Sequence, residues 1–134
     1  MRQANLEGAN LWRSRGYGVD ARKAGLSRSN LEEARWHSAV AGGARFHDCR
    51  MISVVLKEAA LAGAEFQRSR LQGAHFEGAD LRGARFEQAN LADSYFDGAK
   101  IDATAARSLA KAMNWDKARF DPKTRASIAK CAKR

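Results

Sequence analysis

Every fifth residue of this 134-residue chain, from Leu6 to Ile101, belongs to one column, and the residue two before it is always small. The first column runs Leu6, Leu11, Gly16, Ala21, Leu26, Leu31, Trp36, Ala41, Phe46 and onward, and seventeen of its twenty members are large and apolar. The second holds thirteen Ala, four Ser, two Val and Cys49, and no charge enters it. A period of five suits neither a helix, around which the column would spiral, nor a flat strand, in which it would change face at every repeat. Within one repeat, positions two apart share a side of an extended segment, so Ala79 and Leu81 point inward while Asp80 points out. Arg82 and Gly83 must then turn a corner, so that Ala84 and Phe86 face the same axis. Repeated, segment and corner make a coil. Stacked coils make a solenoid in which each unit buries its apolar side against its neighbours.

Ala9-Asn10-Leu11, Ala79-Asp80-Leu81 and Ala89-Asn90-Leu91 recur in register, and they resemble the A(D/N)LXX core of the pentapeptide-repeat proteins over about residues 4–103. The resemblance implies an all-β solenoid: a right-handed quadrilateral β-helix with four pentapeptides per coil, hence about five coils for twenty repeats. On that count residues twenty apart stack, giving Leu26, Phe46, Phe66 and Phe86 on one side and Trp36, Leu56, Phe76 and Phe96 on another. At roughly 4.8 Å per coil the rod is about 24 Å long.

The register ends after Ile101. Asp102 to Met113 reads as an Ala-rich helix, capped by Asp102 or Thr104, with Ala106, Leu109, Ala110 and Met113 as its apolar stripe. Asp121-Pro122 reads as an N-cap and first helical position, opening a second helix through Lys130, with Trp115 and Phe120 in the connection. The expected division is a β-helix over 1–102 and a short basic C-terminal helical cap over 103–134 that covers the last coil. No comparable cap precedes the first coil, whose open edge invites a partner, a second copy or further sequence ahead of Met1. A homodimer through that coil is expected, or one through the C-terminal helices, as the resemblance to some relatives implies. The columns weaken at Gly16 and Ala21, so a bulge, loop or distorted coil is expected around Arg15-Gly16-Tyr17-Gly18, with irregular packing favoured over a functional loop.

The net charge of +9 is unevenly placed: residues 1–101 carry fifteen Lys and Arg against twelve acids, and 102–134 carry nine against three. Lys111, Lys117, Arg119, Lys123, Arg125 and Lys130, with Lys133 and Arg134, are therefore candidate contacts for nucleic acid or an anionic surface. No apolar stretch approaches the roughly 18 to 20 residues that span a bilayer. Met1-Arg2-Gln3-Ala4 runs straight into the repeat without room for a secretory signal, and two cysteines make no disulfide scaffold. A cytoplasmic location is expected, signal-less secretion being the alternative. Cys49 reads as a small buried hydrophobe.

An interior filled by Ala, Leu and Phe leaves no pocket for convergent catalytic groups, so neither catalysis nor a cofactor is expected. His37, His47 and His75 fall on different coils, which disfavours a metal site. Outside, Glu77 and Asp97 share a column with Lys57 and read as a solvated ion ladder. Arg50 above Arg70, and Arg45 and Arg85 with Glu65 between them, read as a mixed solvated surface. Val40, Ile52 and Val55, with Ala60 and Ala62, form an apolar girdle that is the candidate partner patch, while Trp12, Tyr17 and Tyr95 are single exterior aromatics. The leading reading is a non-enzymatic module presenting a rigid surface to a macromolecular partner, most simply a protein. Some pentapeptide-repeat proteins protect gyrase from quinolones or toxins by resembling duplex DNA, which requires an acidic surface. Here Arg15, Arg35, Arg50, Arg70 and Arg85 stand where the motif favours Asp or Asn, and they argue against that use.

Overall fold

The computed structural model describes residues 1–133. Up to Lys100 the backbone repeats one unit, a single bridged residue followed by a two-residue turn. Parallel bridges join Asn5 to Gly25, Asn10 to Asn30, Arg15 to Arg35, and so on to Asp80 and Lys100, always twenty residues or four repeats apart. The extended stretch between turns is so short that each rung remains an isolated bridge, and no longer strand forms among the described residues.

Each turn closes from the amide of the small residue to the carbonyl three before it, as from Ala79 to Phe76 and from Ala84 to Leu81, both at 3.0 Å. Its second corner residue has positive φ, +74° at Gly83 but also 61° at Arg68 and 58° at Glu58, the sign a type II turn requires there. The first corner residue's amide is the one the inter-coil ladder does not use. Asn or Asp just before the large inward residue supplies its acceptor: Asn30 Oδ1 takes the Glu32 amide at 3.0 Å, Asp80 Oδ1 that of Arg82 at 3.2 Å, and Asn90 Oδ1 that of Ala92 at 3.2 Å. The motif's preference for Asp and Asn thus answers a hydrogen-bonding need of the turn.

Inside, like stacks on like. Phe46, Phe66 and Phe86 stack with ring centroids 4.9 and 5.0 Å apart, and Phe76 and Phe96 are 4.9 Å apart. Edge-to-face contacts, such as Phe66 with Phe76 at 5.5 Å, tie the two stacks together. The small column carries a polar thread: the Cys49 thiol donates to the Leu26 carbonyl at 3.0 Å, and the Ser69 hydroxyl receives the Cys49 amide at 3.1 Å. Burial pushes the Cys49 thiol pKa up, so it is held as the neutral thiol.

At Arg15-Gly16-Tyr17-Gly18 the backbone neither bulges nor loops, and Gly16 and Gly18 donate to the carbonyls of Arg35 and His37 at 2.9 Å. The irregularity lies in the packing. Trp36, one coil above in the same column, leans over Gly16, where a Cβ would stand 2.8 Å from its indole ring, and its Nε1 donates to Ser14 Oγ at 3.0 Å. The column trades a missing side chain for an oversized one.

The C-terminal segment closes the upper edge. Helix α1 spans Ala103–Leu109, a 3-10 turn spans Trp115–Lys117, and helix α2 spans Pro122–Ala132 with its proline in the first turn. The first helix is shorter than the sequence suggests, and Met113 does not join its apolar stripe. Met113 is 53% exposed, because its backbone is drawn into a bridge with Asn90. From Gly83 to Gly98, the amides of the last coil that point toward this end find acceptors. Leu91, Asp93, Phe96 and Gln88 use the carbonyls of Met113, Lys117, Arg119 and Lys111. Phe86 uses the Ser108 hydroxyl, and the corner amides of Gly83 and Gly98 use the carboxylates of Asp102 and Asp121. Asp102 also caps α1 through the Ala105 amide at 2.9 Å, whereas Asp121 spends its side chain on the coil rather than on α2. Phe120 extends the aromatic stack, 4.7 Å from Phe96.

Two stability outcomes follow. Gly16→Ala should destabilise the chain by about 1–3 kcal/mol in urea unfolding, with most of that loss recovered in a Trp36→Leu background. Arg70→Asn should add about 0.5–1 kcal/mol in the same assay, since it gives the Gln72 amide the acceptor that Asn90 gives Ala92.

Candidate functional site

With the interior closed, the chemistry available lies outside. Several acids are neutralised close to where they arise. Asp80 accepts Nε and Nη2 of Arg82 at 2.9 and 2.6 Å, and Asp20 receives the same fork from Arg22. The Arg82 side-chain bonds, helped by its backbone amide, lower the Asp80 pKa to about 2 against partial burial, and Arg22 holds Asp20 further below the usual carboxylate range. Arg13 pairs with Glu33 at 2.7 Å, Arg85 with Glu87 at 2.8 Å, Arg68 with Asp48 at 3.1 Å, and Arg28 with Glu7. The expected ladder of Lys57, Glu77 and Asp97 is replaced by pairs across columns: Glu77 meets His75 at 3.1 Å and Asp97 meets Arg119 at 3.3 Å. Glu65, between Arg45 and Arg85 in its column, turns instead to His47 at 2.6 Å.

Arg15, Arg35, Arg45 and Arg70 are exposed and belong to none of the ion pairs formed among the described residues. Arg15 and Arg35 are bridged neighbours, and with Arg13, Glu33, Ser53, Val55 and His75 they line an open trough of about 490 Å³. The corners of the first coil add Trp12 on one side of Arg15 and Tyr17 on the other, 52% and 79% exposed. Arg13 lies over the Trp12 ring at 4.5 Å, and Tyr17 stacks on His37 at 6.3 Å. Further along the same face come His75 and Tyr95, stacked 4.7 Å apart, and Arg119 at 5.9 Å from the Tyr95 ring. The sequence signal for this cluster was the twenty-residue spacing of Arg15 and Arg35. It was legible only as a departure from the motif, because the pairing of Arg13 with Glu33 is not written in the spacing.

The apolar girdle is divided. Ile52 and Val55 adjoin, a corner and the face beside it, and both are partly buried; Val40, 37% exposed, lies on the next face and one coil lower. Of the tail cations, Arg125 donates to the carbonyls of Ala118 and Asp116 and lies over Trp115, and Arg119 is paired with Asp97. Lys111, Lys117, Lys123 and Lys130 are exposed, whereas Arg134 lies outside the described residues. Lys123 and Lys130 join Arg107 on the rim of a cleft of about 550 Å³ between α1, α2 and the last coil, with Ala99, Ile101 and Ala106 in its walls. Among the described residues no group of three His, Cys, Asp or Glu is placed to hold a metal ion, and no helix is long and apolar enough to cross a membrane.

The family model for pentapeptide repeats matches eight copies over residues 1–35, 42–78 and 69–104, and the chain belongs to that family. It is similar to the solved pentapeptide-repeat protein Rfr23 of the cyanobacterium Cyanothece 51142, at 24% identity over 88% of each chain, with a TM-score of 0.48. It is also similar to one from the Arabidopsis thaliana thylakoid lumen, at 26% identity over 73% of this chain and 61% of that one, with a TM-score of 0.45. QnrB1, a plasmid-mediated fluoroquinolone resistance protein, is 14% identical over 98% of this chain and 96% of its own, with a TM-score of 0.35. No curated protein matches the sequence.

The lowered carboxylate pKa gives a pH test. The contribution of charged Asp80 to stability is fully present above its ordinary value of 3.8 and is lost as pH falls through about 2. In Arg82→Gln the Asp80 carboxyl, followed by carbon-13 NMR, should titrate nearer to 3.8, and most of this pH-dependent contribution to stability should disappear.

Proposed function

We propose that the chain is a non-enzymatic interaction module, a rigid rod that presents side-chain ladders to a protein partner in the cytoplasm. Its architecture on this reading is a right-handed quadrilateral β-helix of about five coils over residues 1–102, closed by a helical cap over 103–134. The carrying observation is the contrast between a filled interior and an exterior on which Arg15 and Arg35 have no ion-pair partner among the described residues while Trp12 and Tyr17 stay exposed beside them. Exposed arginine and aromatic side chains are what protein interfaces concentrate at their anchoring points. The first coil offers a second copy an edge, since the amides of Asn5, Asn10, Arg15 and Asp20 meet no backbone acceptor among the described residues.

Gyrase protection by DNA mimicry is disfavoured by the charge of the outer column, where arginines replace the acids a phosphate mimic needs. Polyanion binding through Lys111, Lys117, Lys123 and Lys130 is the second reading, favoured by their exposure without carboxylate partners.

Affinity capture with the full chain tests the leading reading. A discrete partner should be retained by the native protein and lost on changing Val40, Ile52 and Val55 together to Lys, or on replacing the cations of the trough. Retention of duplex DNA that falls steeply between 50 and 200 mM salt, with no protein partner retained, would favour the tail instead.

A further inference from the structure

We propose that the face centred on Arg15 and Arg35 is a docking strip for an extended acidic segment of a protein partner, its carboxylates meeting the two guanidinium groups. This rests on reading the chain as a protein-interaction module and names the chemistry of the segment it takes. Three observations carry it.

The first is that these two cations are free while their neighbour is not. Arg13, on the corner beside them, is bonded to Glu33 at 2.7 Å and lies over Trp12, so one wall of the trough is already fixed. Arg15 and Arg35 sit on consecutive rungs of the same parallel ladder, exposed, with no carboxylate partner among the described residues. Two like charges held about 4.8 Å apart at the backbone repel each other, and an anion between or above them relieves that repulsion. Guanidinium forks suit carboxylates because each presents two parallel N–H donors.

The second is the shape of the cluster. Trp12 and Tyr17 stand at the two corners that flank Arg15, and Tyr17 is held against His37 at 6.3 Å. Large rings with few rotatable bonds give contact area at low entropic cost, and here they border the strip on both sides. The next rung is Val55, followed by His75, whose ring is occupied by Glu77 and Tyr95. The strip therefore reads, along the rod axis, as two cations and then an apolar step.

The third is its limited length, which decides between a peptide and a nucleic acid. Beyond Val55 the face itself carries no cation until Arg119, which is paired with Asp97, and a phosphate chain continuing along it would pass Lys57 and then Glu77 and Asp97 on one bordering column and Asp93 on the other. An extended peptide presents alternate side chains on one side at roughly 6.6 Å intervals, and long arginine side chains span the difference from the rung spacing. Two carboxylates followed by one aliphatic side chain complete the match before the face reaches His75, which is engaged by Glu77 and Tyr95.

The test uses the full chain and a fluorescein-labelled hexapeptide, Glu-Ser-Glu-Ser-Leu-Ser, whose first, third and fifth residues share one side when extended. Fluorescence anisotropy should show saturable binding that weakens at least about tenfold in Arg15→Gln/Arg35→Gln. Binding should stay within about twofold in Arg45→Gln/Arg70→Gln, which removes two unpaired arginines of other faces. Superimposable thermal unfolding of the two double variants excludes misfolding as the cause. The Gln-Ser-Gln-Ser-Leu-Ser peptide should not bind. The assignment is overturned if the peptide does not bind, if both double variants weaken it equally, or if a labelled ten-nucleotide oligothymidine binds more tightly at the same face. Affinity capture separates this from the broader reading: a partner held equally by native protein and Arg15→Gln/Arg35→Gln removes the strip and leaves the module. A chain that captures no protein and binds no peptide removes both.

Discussion

A parallel ladder joining each residue to the one twenty further on sets the terms for everything else in this molecule. Once the backbone is fixed in that register, an inward side chain must stack on the residue twenty before and the residue twenty after, whatever it also touches across the axis. Phenylalanine therefore lies on phenylalanine with near-parallel rings, 2° apart for Phe46 and Phe66 and 9° for Phe66 and Phe86. The same lack of choice explains Gly16. Trp36 is too large for its share of the axis and has only the space below it to use, so the column balances volume between coils rather than within one.

The outer surface obeys a weaker rule, and this chain breaks it often. Asn and Asp before the large inward residue serve the turn by accepting the one corner amide that the ladder leaves over, as Asn5, Asn10, Asp20, Asn30, Asp80 and Asn90 all do. Arginine at that position has no acceptor to offer, so at Arg15, Arg35 and Arg70 the turn amide is left to solvent. Each substitution gives up a small local contribution, about that of one exposed hydrogen bond, and the fold tolerates it because burial of the interior columns is far larger. What the arginine gains is reach: a long cation in the middle of a face, unattached to the turn beneath it.

How much of this was legible in the sequence follows from which interactions are periodic. The inward columns could be read from spacing alone, because one backbone rule repeats without exception, whereas the stacking of Phe46, Phe66 and Phe86 also needed the four repeats per coil that the family resemblance implies. The end of α1 could not: Ala110, Lys111 and Ala112 have good helix propensity, yet the helix stops at Leu109 so that Met113 can bridge to Asn90. Tertiary pairing outweighed local preference there. Phe120 likewise looked like a connection residue and proves to continue the core, since nothing in its local pattern announces a partner 24 residues earlier. The trough was hidden for a third reason. Whether an arginine is free depends on side-chain pairing across corners, and Arg13, rather than Arg15 or Arg35, takes Glu33.

The basic character of the C-terminal segment gains a structural explanation from the same ladder. Of its three acids, Asp102 and Asp121 are turned onto the open corners of the last coil, at Gly83 and Gly98, where each satisfies an amide that has no further coil to bond. These carboxylates are committed to backbone donors and to α1, and only Asp116 remains among nine lysines and arginines. An edge so closed exposes neither a row of donors nor a neutral surface. Lys111, Lys117, Lys123 and Lys130 are exposed in this segment, and like charge raises the cost of bringing two copies of it together. On the sides of the rod most acids are paired with a cation or a histidine, so the charge left over there is mainly basic, with Arg15 and Arg35 part of it.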